Sequence, residues 1–340
     1  MNDYDVWWID DSEDRRVASD ALEDNSDDLT VTFDKPGVAL DILTDKSKPV
    51  EYDLVLIDWK LQDHSEFRGK GLTMMGRVRE EMPAVPIYGF SDAVDELRAT
   101  AGDHQFDATY DASQLKSEDG ATNVEKDLES YESIRHVEGA GLEPLLETLG
   151  APKDAYEDLK SVIPREYANG IQAEGEGSVR EFAYWVRNRF VETPGPVLDN
   201  TWWATKIGLE KEALENHVDE LTDVVDKPVL YDGVFDHRCD RRWWTSQAIS
   251  SVVALAKDHG EHINELTMVG KDILGESEGL SYCRVCELRE SSEQIGGRPD
   301  ILAAGREGED ADHPVHLGCS HIHHTREGAF EDYRVADMLE

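Results

Sequence analysis

Three short apolar runs in the amino-terminal third each end in an acidic or hydroxyl residue, and this feature constrains the fold more than any other. The runs are VWWI before Asp10 and Asp11, LVLI before Asp58, and VPIYGF before Ser91. Stretches with helical spacing separate them, and this alternation predicts a parallel sheet covered on both faces. Because right-handed crossovers place the carboxyl ends of all strands at one edge, these four residues are expected to converge.

The convergence of three carboxylates predicts a metal site. Acids that share a cleft repel one another and hold their protons more tightly unless a cation neutralises them. Mg2+ suits such a site because it takes oxygen ligands and is held by one or two carboxylates together with phosphate oxygens. Each acid alone has a simpler explanation, since Asp at a strand end commonly forms a turn or a helix cap, and Asp11 before Ser12 could cap the first helix.

The motifs WIDDSEDRR, LVLIDWKL and YGFSD, in this order and spacing, resemble those of response-regulator receiver domains over residues 1 to about 135. The resemblance implies a flavodoxin-like α/β fold and a sensor kinase as partner. It further implies that Asp58 accepts a phosphoryl group and that Ser91 is the switch hydroxyl. By the same resemblance, Mg2+ would be held by Asp10, Asp11, Asp58 and the backbone carbonyl of Lys60. Phosphorylation adds charge that can bias a two-state loop and helix face.

One part of the receiver pattern is missing. Receivers carry a lysine just after the fifth strand, here FDATYDASQ, but no lysine occurs between Gly71 and Leu115. Asp111 or Ala112 takes its place, and an acid there would repel a phosphoryl group. The sequence leaves three alternatives open: Lys116 reaches back to the site, the domain signals weakly, or it works without phosphorylation.

The chain beyond the receiver-like part is predicted to be mainly helical. Residues 136–152 are expected to form a helical connector and residues 153–272 a second domain. Within this second domain, the segment VREFAYWVRNRF has an apolar stripe at helical spacing, with Arg187 and Arg189 on the opposite face. Such a stripe is typical of a helix that packs against a core.

A winged helix-turn-helix is predicted within residues 153–272. Asp199 or Asn200 can cap a first helix, Gly208 permits a sharp turn, and EKEALENHVDEL predicts a second helix. The extended segments KPVLYDGVF and RRWWTSQ would form a hairpin wing. The second helix carries acids where base-reading helices present Arg, Lys, Asn or Gln, which disfavours DNA as its target.

The basic aromatic cluster HRCDRRWW supplies the nucleic-acid candidates. They are Arg238, Arg241, Arg242, Trp243 and Trp244. Arginines can contact phosphates while tryptophans stack on bases, as in single-strand binders. In the alternative interpretation, which we favour, the tryptophans anchor the wing in the core and the arginines pair with the abundant acids.

Residues 273–340 are predicted to form a zinc-binding module that resembles treble-clef modules. The four ligands would be Cys283, Cys286, His316 and Cys319. Two closely spaced ligand pairs bind Zn2+ tetrahedrally, and a closed site of this kind is structural. His321, His323 or His324 could replace His316 in this set. A nuclease-like metal site with Asp312, His313 and His323 is a further alternative.

The net charge is strongly negative, because 74 acidic residues face 34 basic ones, which gives −40. The acids are dispersed along the chain, and this favours a cytosolic protein of a salt-loving organism, in which salt screens the self-repulsion. No secretory signal is visible, and no apolar run approaches the ~20 residues of a membrane span. Four cysteines are too few for a secreted disulfide framework. We therefore expect a cytoplasmic protein without a membrane partner.

These patterns together predict a response-regulator-like signalling protein. The receiver would control an effector region, formed by the winged-helix-like domain and the zinc module, that binds DNA, RNA or protein. We expect no enzyme activity beyond the receiver's own phosphoryl transfer and hydrolysis. The competing interpretation is an adaptor that docks protein partners without phosphorylation, and a nuclease comes third.

Overall fold

The computed structural model describes residues 4–47, 50–61, 70–101, 105–172, 177–226, 228–263 and 266–281, with 98–101, 302–304 and 314–316 as backbone only. The chain forms two compact units. Unit 1 comprises Met1–Leu149 and Ile163–Asn188, and unit 2 comprises Gly150–Val162 and Arg189–Glu340. Each unit is therefore built from two separate stretches of the chain.

Unit 1 contains a five-stranded sheet whose strands are all parallel. The strands are β1 (Tyr4–Ile9), β2 (Leu29–Asp34), β3 (Leu54–Asp58), β4 (Ile87–Ser91) and β5 (Ala108–Asp111). They lie in the order β2-β1-β3-β4-β5. This order is that of flavodoxin-like sheets, and the predicted α/β fold of the amino-terminal part is confirmed.

Helices connect these strands. They are α1 (Arg16–Asp24), α2 (Pro36–Thr44), α3 (Gly71–Glu81), α4 (Val94–Ala101) and α5 (Glu118–His136). Every residue of β3 and β4 is buried, as expected for strands covered on both faces. Helix α5 begins where the Ser117 hydroxyl accepts a hydrogen bond from the backbone N–H of Gly120 at 3.1 Å, and two acids occupy its first turn. The apolar runs and the caps thus produce the predicted alternation of strands and helices.

A later stretch of the chain completes unit 1. It includes α8 (Ser178–Trp185), which packs against α5 and continues into a π-helical turn, Val186–Phe190. Arg180 forms an ion pair with Asp107 at 3.0 Å and donates a hydrogen bond to the carbonyl of Pro83 at 3.2 Å. These polar contacts attach α8 to the loops at the amino ends of β4 and β5.

Arg187 is buried in this attachment. Its guanidinium donates hydrogen bonds to the hydroxyl of Tyr88, at 3.3 Å, and to the backbone carbonyl of Asp107. Its Cζ lies 5.6 Å from the ring centroid of Tyr88 and 5.7 Å from that of Tyr131. The placement of Arg187 on the polar face of a helix is therefore wrong: tyrosine rings and a carbonyl provide the partners that a buried guanidinium needs.

Unit 2 combines short helices with a small antiparallel strand pair. Its helices are α7 (Tyr156–Val162), α9 (Asn200–Ile207), α10 (Lys211–Glu215), α11 (Val218–Asp223), α12 (Thr245–Asp258) and α13 (Val269–Asp272). Helix α6 (Leu142–Thr148) comes before α7 in the chain and belongs to unit 1. Strand β6 (Val197–Asp199) pairs with β7 (Arg242–Trp244). Leu230 forms an isolated antiparallel bridge to the other edge of β7.

The local signals of the predicted helix-turn-helix are present in part. The Asp199 carboxylate accepts a hydrogen bond from the backbone N–H of Trp202 at 2.7 Å and so caps α9. Gly208 ends this helix at φ 80°, a conformation that glycine adopts without strain. The single second helix predicted for EKEALENHVDEL is instead divided into α10 and α11, with a break at Asn216 and His217. The winged-helix domain stays a prediction.

The predicted zinc module lies almost wholly beyond the described residues. Strands β8 (Leu302–Ala304) and β9 (Pro314–His316) form an antiparallel pair, of which only the backbone is described. The side chains of the four predicted ligands, and those of the nuclease alternative, lie outside the described residues. Zn2+ binding therefore stays a prediction.

Candidate metal centre

The carboxyl ends of the strands bring the predicted residues together at one edge of the sheet. Asp58 ends β3, Ser91 ends β4, and Asp10 directly follows β1. All three residues are buried. Strand pairing aligns Asp58 with Phe90 and Ser91 with Asp111, so β5 delivers a further acid beside the serine.

Asp10, Asp11 and Asp58 form an acid cluster. Each offers a carboxylate oxygen, and these three oxygens lie within 4.8 Å of one another. Oδ1 of Asp10 accepts a hydrogen bond from the backbone N–H of Ser12 at 2.8 Å, whereas its buried Oδ2 has no hydrogen-bond partner. A buried carboxylate oxygen without a donor, beside two further carboxylates, fits a divalent cation that takes oxygen ligands.

Burial dominates the electrostatics of the acid cluster. It raises the pKa of Asp10 from 3.8 to about 7, and the neighbouring charge of Asp58 adds to this effect. Burial also raises the pKa of Asp58, and the charge of Asp11 acts in the same direction. A bound divalent cation would reverse this preference, because it favours the ionised form of each carboxyl group.

Backbone contacts hold Asp58 at the carboxyl edge of the sheet. The backbone N–H of Lys60 donates a hydrogen bond to Oδ1 of Asp58 at 3.2 Å. The side chain of Lys60 turns away and pairs with Glu96 at 2.6 Å. Gly71, at the start of α3, lies so close that a Cβ there would be 2.4 Å from the carbonyl oxygen of Asp58. Only glycine allows this approach without displacing the backbone.

Ser91 and Asp111 each bond to the loop that follows their own strand. Oγ of Ser91 accepts a hydrogen bond from the backbone N–H of Ala93 at 3.1 Å. Asp111 accepts one from the backbone N–H of Ser113 at 2.7 Å. Hydrogen bonds from the Ser113 side chain and backbone lower the pKa of Asp111, and the charge of Lys116 contributes. The acid in the place expected for a lysine is therefore engaged in a turn, with Lys116 exposed beyond it.

Arg15 is the residue of this site that the sequence analysis missed. Its Nη1 lies 3.1 Å from Oδ1 of Asp58 and 3.6 Å from Oδ2 of Asp10. Its Nη2 lies 2.7 Å from Oδ2 of Asp92. The only sequence signal is the position of Arg15 a few residues after the acid pair in DDSEDRR. In the sequence, that segment contributes only its acid pair to the receiver-like motif, and nothing in its spacing tells which of the two arginines turns towards the acids.

The two tryptophans among the nucleic-acid candidates are buried, whereas a base-stacking surface needs exposed rings. Trp243 and Trp244 are fully buried, and Nε1 of Trp243 donates a hydrogen bond to Oδ1 of Asn200 at 2.7 Å. Neither indole is exposed for stacking on a base, because both are part of the core of unit 2. This finding agrees with the favoured interpretation, in which the tryptophans belong to the core and are not nucleic-acid contacts.

The arginines of the same cluster make contacts within unit 2. Arg242 is buried and donates a hydrogen bond from Nε to the carbonyl of Val191 at 2.7 Å. Arg241 pairs with Glu215 at 2.8 Å. Arg238 is half-buried at the end of a 3-10 turn. The arrangement agrees with the alternative in which arginines pair with local acceptors.

Replacing Asp10 by asparagine is expected to stabilise the metal-free protein at pH 8. The folded-state pKa of Asp10 is about 7, above its ordinary 3.8, so its ionisation lowers the stability as the pH rises through 7 and costs nothing below about pH 4. Removing the charge should raise the free energy of unfolding at pH 8 by about 1–3 kcal/mol. Urea denaturation with a chelator at pH 5 and pH 8, at constant salt, measures the effect.

Asp5→Asn is the matched control for this substitution. Asp5 lies at the opposite, exposed end of β1, and its replacement should change stability by no more than about 0.5 kcal/mol. Magnesium should stabilise the wild type and leave the Asp10→Asn variant nearly unchanged. A variant less stable than the wild type at pH 8 without metal would contradict the burial penalty assigned to Asp10.

No protein-family model matches the chain, and no curated protein matches it. In the part of the chain that the structure describes, no helix is both long enough and apolar enough to span a membrane.

Solved structures similar to the amino-terminal part are response regulators and receiver domains. The phosphorylated cyanobacterial phytochrome response regulator RcpA is 17% identical, with a TM-score of 0.30, over 38% of this chain and 95% of that chain. A CheY-like receiver domain protein from Methanospirillum hungatei is 15% identical, with a TM-score of 0.28, over 38% of this chain and 98% of that chain. The Salmonella typhimurium response regulator RcsB is 16% identical, with a TM-score of 0.29, over 39% of this chain. The chain spans about 60% of the length of RcsB.

Proposed function

We propose that this chain is a response-regulator-like signalling protein in which unit 1 accepts a phosphoryl group on Asp58. The observation that carries the proposal is the position of the Asp58 carboxylate. It ends a central strand of a flavodoxin-like sheet, inside the acid cluster and within ion-pair distance of Arg15. A carboxylate placed at the carboxyl edge of such a sheet lies where ligands of this fold class bind.

In the proposed reaction, a carboxylate oxygen of Asp58 attacks the phosphorus atom of a phosphoryl donor. The P–O bond to the leaving group breaks as the new acyl-phosphate bond forms, and the leaving group departs with the electron pair of the broken bond. Asp10 and Asp11 would hold Mg2+ together with Asp58, and the bound cation would offset the charge on the phosphoryl oxygens. Ser91, at the end of the adjacent strand, is the hydroxyl placed to respond to the new group.

The test is the intact mass of the full chain after incubation with acetyl phosphate and Mg2+. The wild type should gain the mass of one phosphoryl group, and Asp58→Asn should gain none, because an amide is not a nucleophile in this step. Asp53→Asn is the matched control, since Asp53 directly precedes the same strand, at the end opposite to Asp58. Equal labelling of the wild type and of Asp58→Asn would assign the phosphoryl group to another residue and refute the proposal.

A second candidate function is that of an adaptor that docks protein partners without phosphorylation. Asp111 favours this candidate, because an acid lies beside Ser91 where receivers carry a lysine. Arg15 also partly neutralises the acid cluster without a metal. If the wild-type protein binds Mg2+ but gains no mass from acetyl phosphate, the adaptor becomes the better-supported function and the phosphoryl acceptor is rejected.

For unit 2 we propose a winged-helix-like effector region with a protein target. The order of elements supports this proposal: β6 is followed by α9, then by α10 and α11, and finally by the extended segment around Leu230 and by β7. Strand β7 pairs with β6 along one edge and is bridged by Leu230 on the other. The exposed acids on and before α10 and α11 would repel nucleic-acid phosphates. They are Glu210, Glu212, Glu215 and Asp219. A basic surface of a protein partner fits this charge better than DNA or RNA does.

A further inference from the structure

Arg15 lies beside the proposed phosphoryl acceptor, Asp58, and beside Asp10. We propose that Arg15 is the cation that binds the phosphoryl oxygens on Asp58, in place of the lysine expected after β5. This inference rests on the proposed phosphorylation of Asp58 and adds to it the residue that stabilises the product.

Local structure fixes the approach of Arg15 to the site. The residue ends a 3-10 turn, Glu13–Arg15, that leads directly into α1. Its side chain is 21% exposed, and its Cζ lies 5.9 Å from the ring centroid of Phe90, which belongs to β4. The guanidinium therefore enters the carboxyl edge from the α1 side, along the aromatic side chain that precedes Ser91.

The contact between Arg15 and Asp58 involves the carboxylate that phosphorylation would modify. Nη1 lies 3.1 Å from Oδ1 of Asp58, and this buried nitrogen has no aligned hydrogen bond. The guanidinium N–H donors thus already face the carboxylate to which the phosphoryl group would be attached. A phosphoryl group on Asp58 would place its oxygens within reach of these donors after a small rotation of the side chain.

The charge balance of the site requires such a donor. A phosphoryl group adds ~1.5 to 2 negative charges. Asp10 and Asp11 already lie beside Asp58, with carboxylate oxygens within 4.8 Å, and like charges at this distance oppose the product. One divalent cation balances only part of this charge, so a second cation beside Asp58 favours formation of the acyl phosphate.

Lys60, a neighbouring lysine, is engaged elsewhere. Nζ of Lys60 pairs with Glu96 at 2.6 Å and lies 5.6 Å from the ring centroid of Trp59. Lys116 is exposed beyond Asp111. Arginine also suits the task better than lysine, because its planar fork of N–H donors can bind two oxygens of one phosphoryl group.

The test compares Arg15→Ala and Arg15→Lys with the wild type in the full chain. The rate of mass gain from acetyl phosphate at saturating Mg2+ is measured for each, and Mg2+ affinity is measured by calorimetry. Arg15→Ala should be slower by about 10- to 1000-fold, the range for loss of a preorganised donor to developing charge. Arg15→Lys should recover part of the rate. Mg2+ should bind Arg15→Ala at least as tightly as the wild type, because a cation 3.1 Å from Asp58 has been removed.

Arg16→Ala is the matched control, since the adjacent Arg16 is exposed and pairs with Glu13; it should label at the wild-type rate. Labelling of Arg15→Ala at the wild-type rate overturns the role of Arg15 and leaves Asp58 as acceptor. Slow labelling together with lost Mg2+ binding also overturns it, because Arg15 would then only maintain the site. A wild type that gains no phosphoryl group overturns the proposed function and this inference with it.

Discussion

Replacing Arg187 by alanine is expected to lower the free energy of unfolding of unit 1 by about 3–5 kcal/mol, the range for breaking a buried charged contact. Burial disfavours the guanidinium charge, but Tyr131, Tyr88 and Asp127 outweigh this effect and raise the pKa of Arg187. Removal of the side chain leaves a cavity between the two tyrosine rings. It also leaves the carbonyl of Asp107 without this donor.

Hydrogen exchange measured by mass spectrometry locates the effect. Protection should fall in β4, in α5 and in α8, the three elements that the Arg187 contacts join. Arg187→Lys should recover only part of the loss, because an ammonium group lacks the planar fork. Arg189→Ala is the control: Arg189 is exposed, and its removal should cost no more than about 0.5 kcal/mol. Unchanged protection in Arg187→Ala would mean that α8 stays attached through Arg180 alone.

Replacing Trp243 by alanine is expected to destabilise unit 2 by about 3–5 kcal/mol, the cost of truncating a fully buried aromatic side chain. The ring centroid of Trp243 lies 6.0 Å from that of Trp203 in the core. Its hydrogen bond to Asn200 connects β7 to the start of α9. Trp243→Phe retains most of the buried area but leaves Oδ1 of Asn200 without this donor, at a cost of about 1–3 kcal/mol. Urea denaturation followed by tryptophan fluorescence measures both variants.

This prediction distinguishes a core residue from a nucleic-acid contact. Arg241→Ala is the comparison, since Arg241 is half-exposed and pairs with Glu215 at the surface, and its replacement should change stability by at most about 1 kcal/mol. Gel shifts with single-stranded and duplex DNA should be unaffected by Trp243→Phe. If the wild type shifts DNA and a stable Trp243→Ala variant does not, Trp243 contacts nucleic acid and the assignment to the core alone is wrong.

The sheet and its acid cluster are predictable from sequence because their signals are local. A strand buried on both faces needs an unbroken apolar run, and the residue that ends the run identifies the edge at which it lies. The sequence alone therefore predicts that Asp10, Asp58 and Ser91 lie at one edge, and the structure brings them there. The capping of α9 by Asp199 is local in the same sense.

The parts that escaped prediction depend on contacts between distant stretches of the chain. Arg15 and Arg16 are adjacent and chemically identical, yet only the backbone path after β1 turns one of them towards Asp58. Arg187 reads as a surface residue because its partners, Tyr88 and Tyr131, are far away in sequence. Helical periodicity reports which residues share a face, and it does not report what covers the opposite face.

The division of the chain into units limits the ways in which recombination between genes can transfer unit 1. Unit 1 is encoded by two stretches, and the chain passes from one unit to the other after Leu149, Val162 and Asn188. A single recombination point can therefore transfer unit 1 intact only if it lies after Asn188, and the transferred piece then includes residues 150–162 of unit 2. An exchange after residue 149 would carry the acid cluster but leave Arg187 behind, and the transferred Tyr88 and Tyr131 would lose the guanidinium that packs against them.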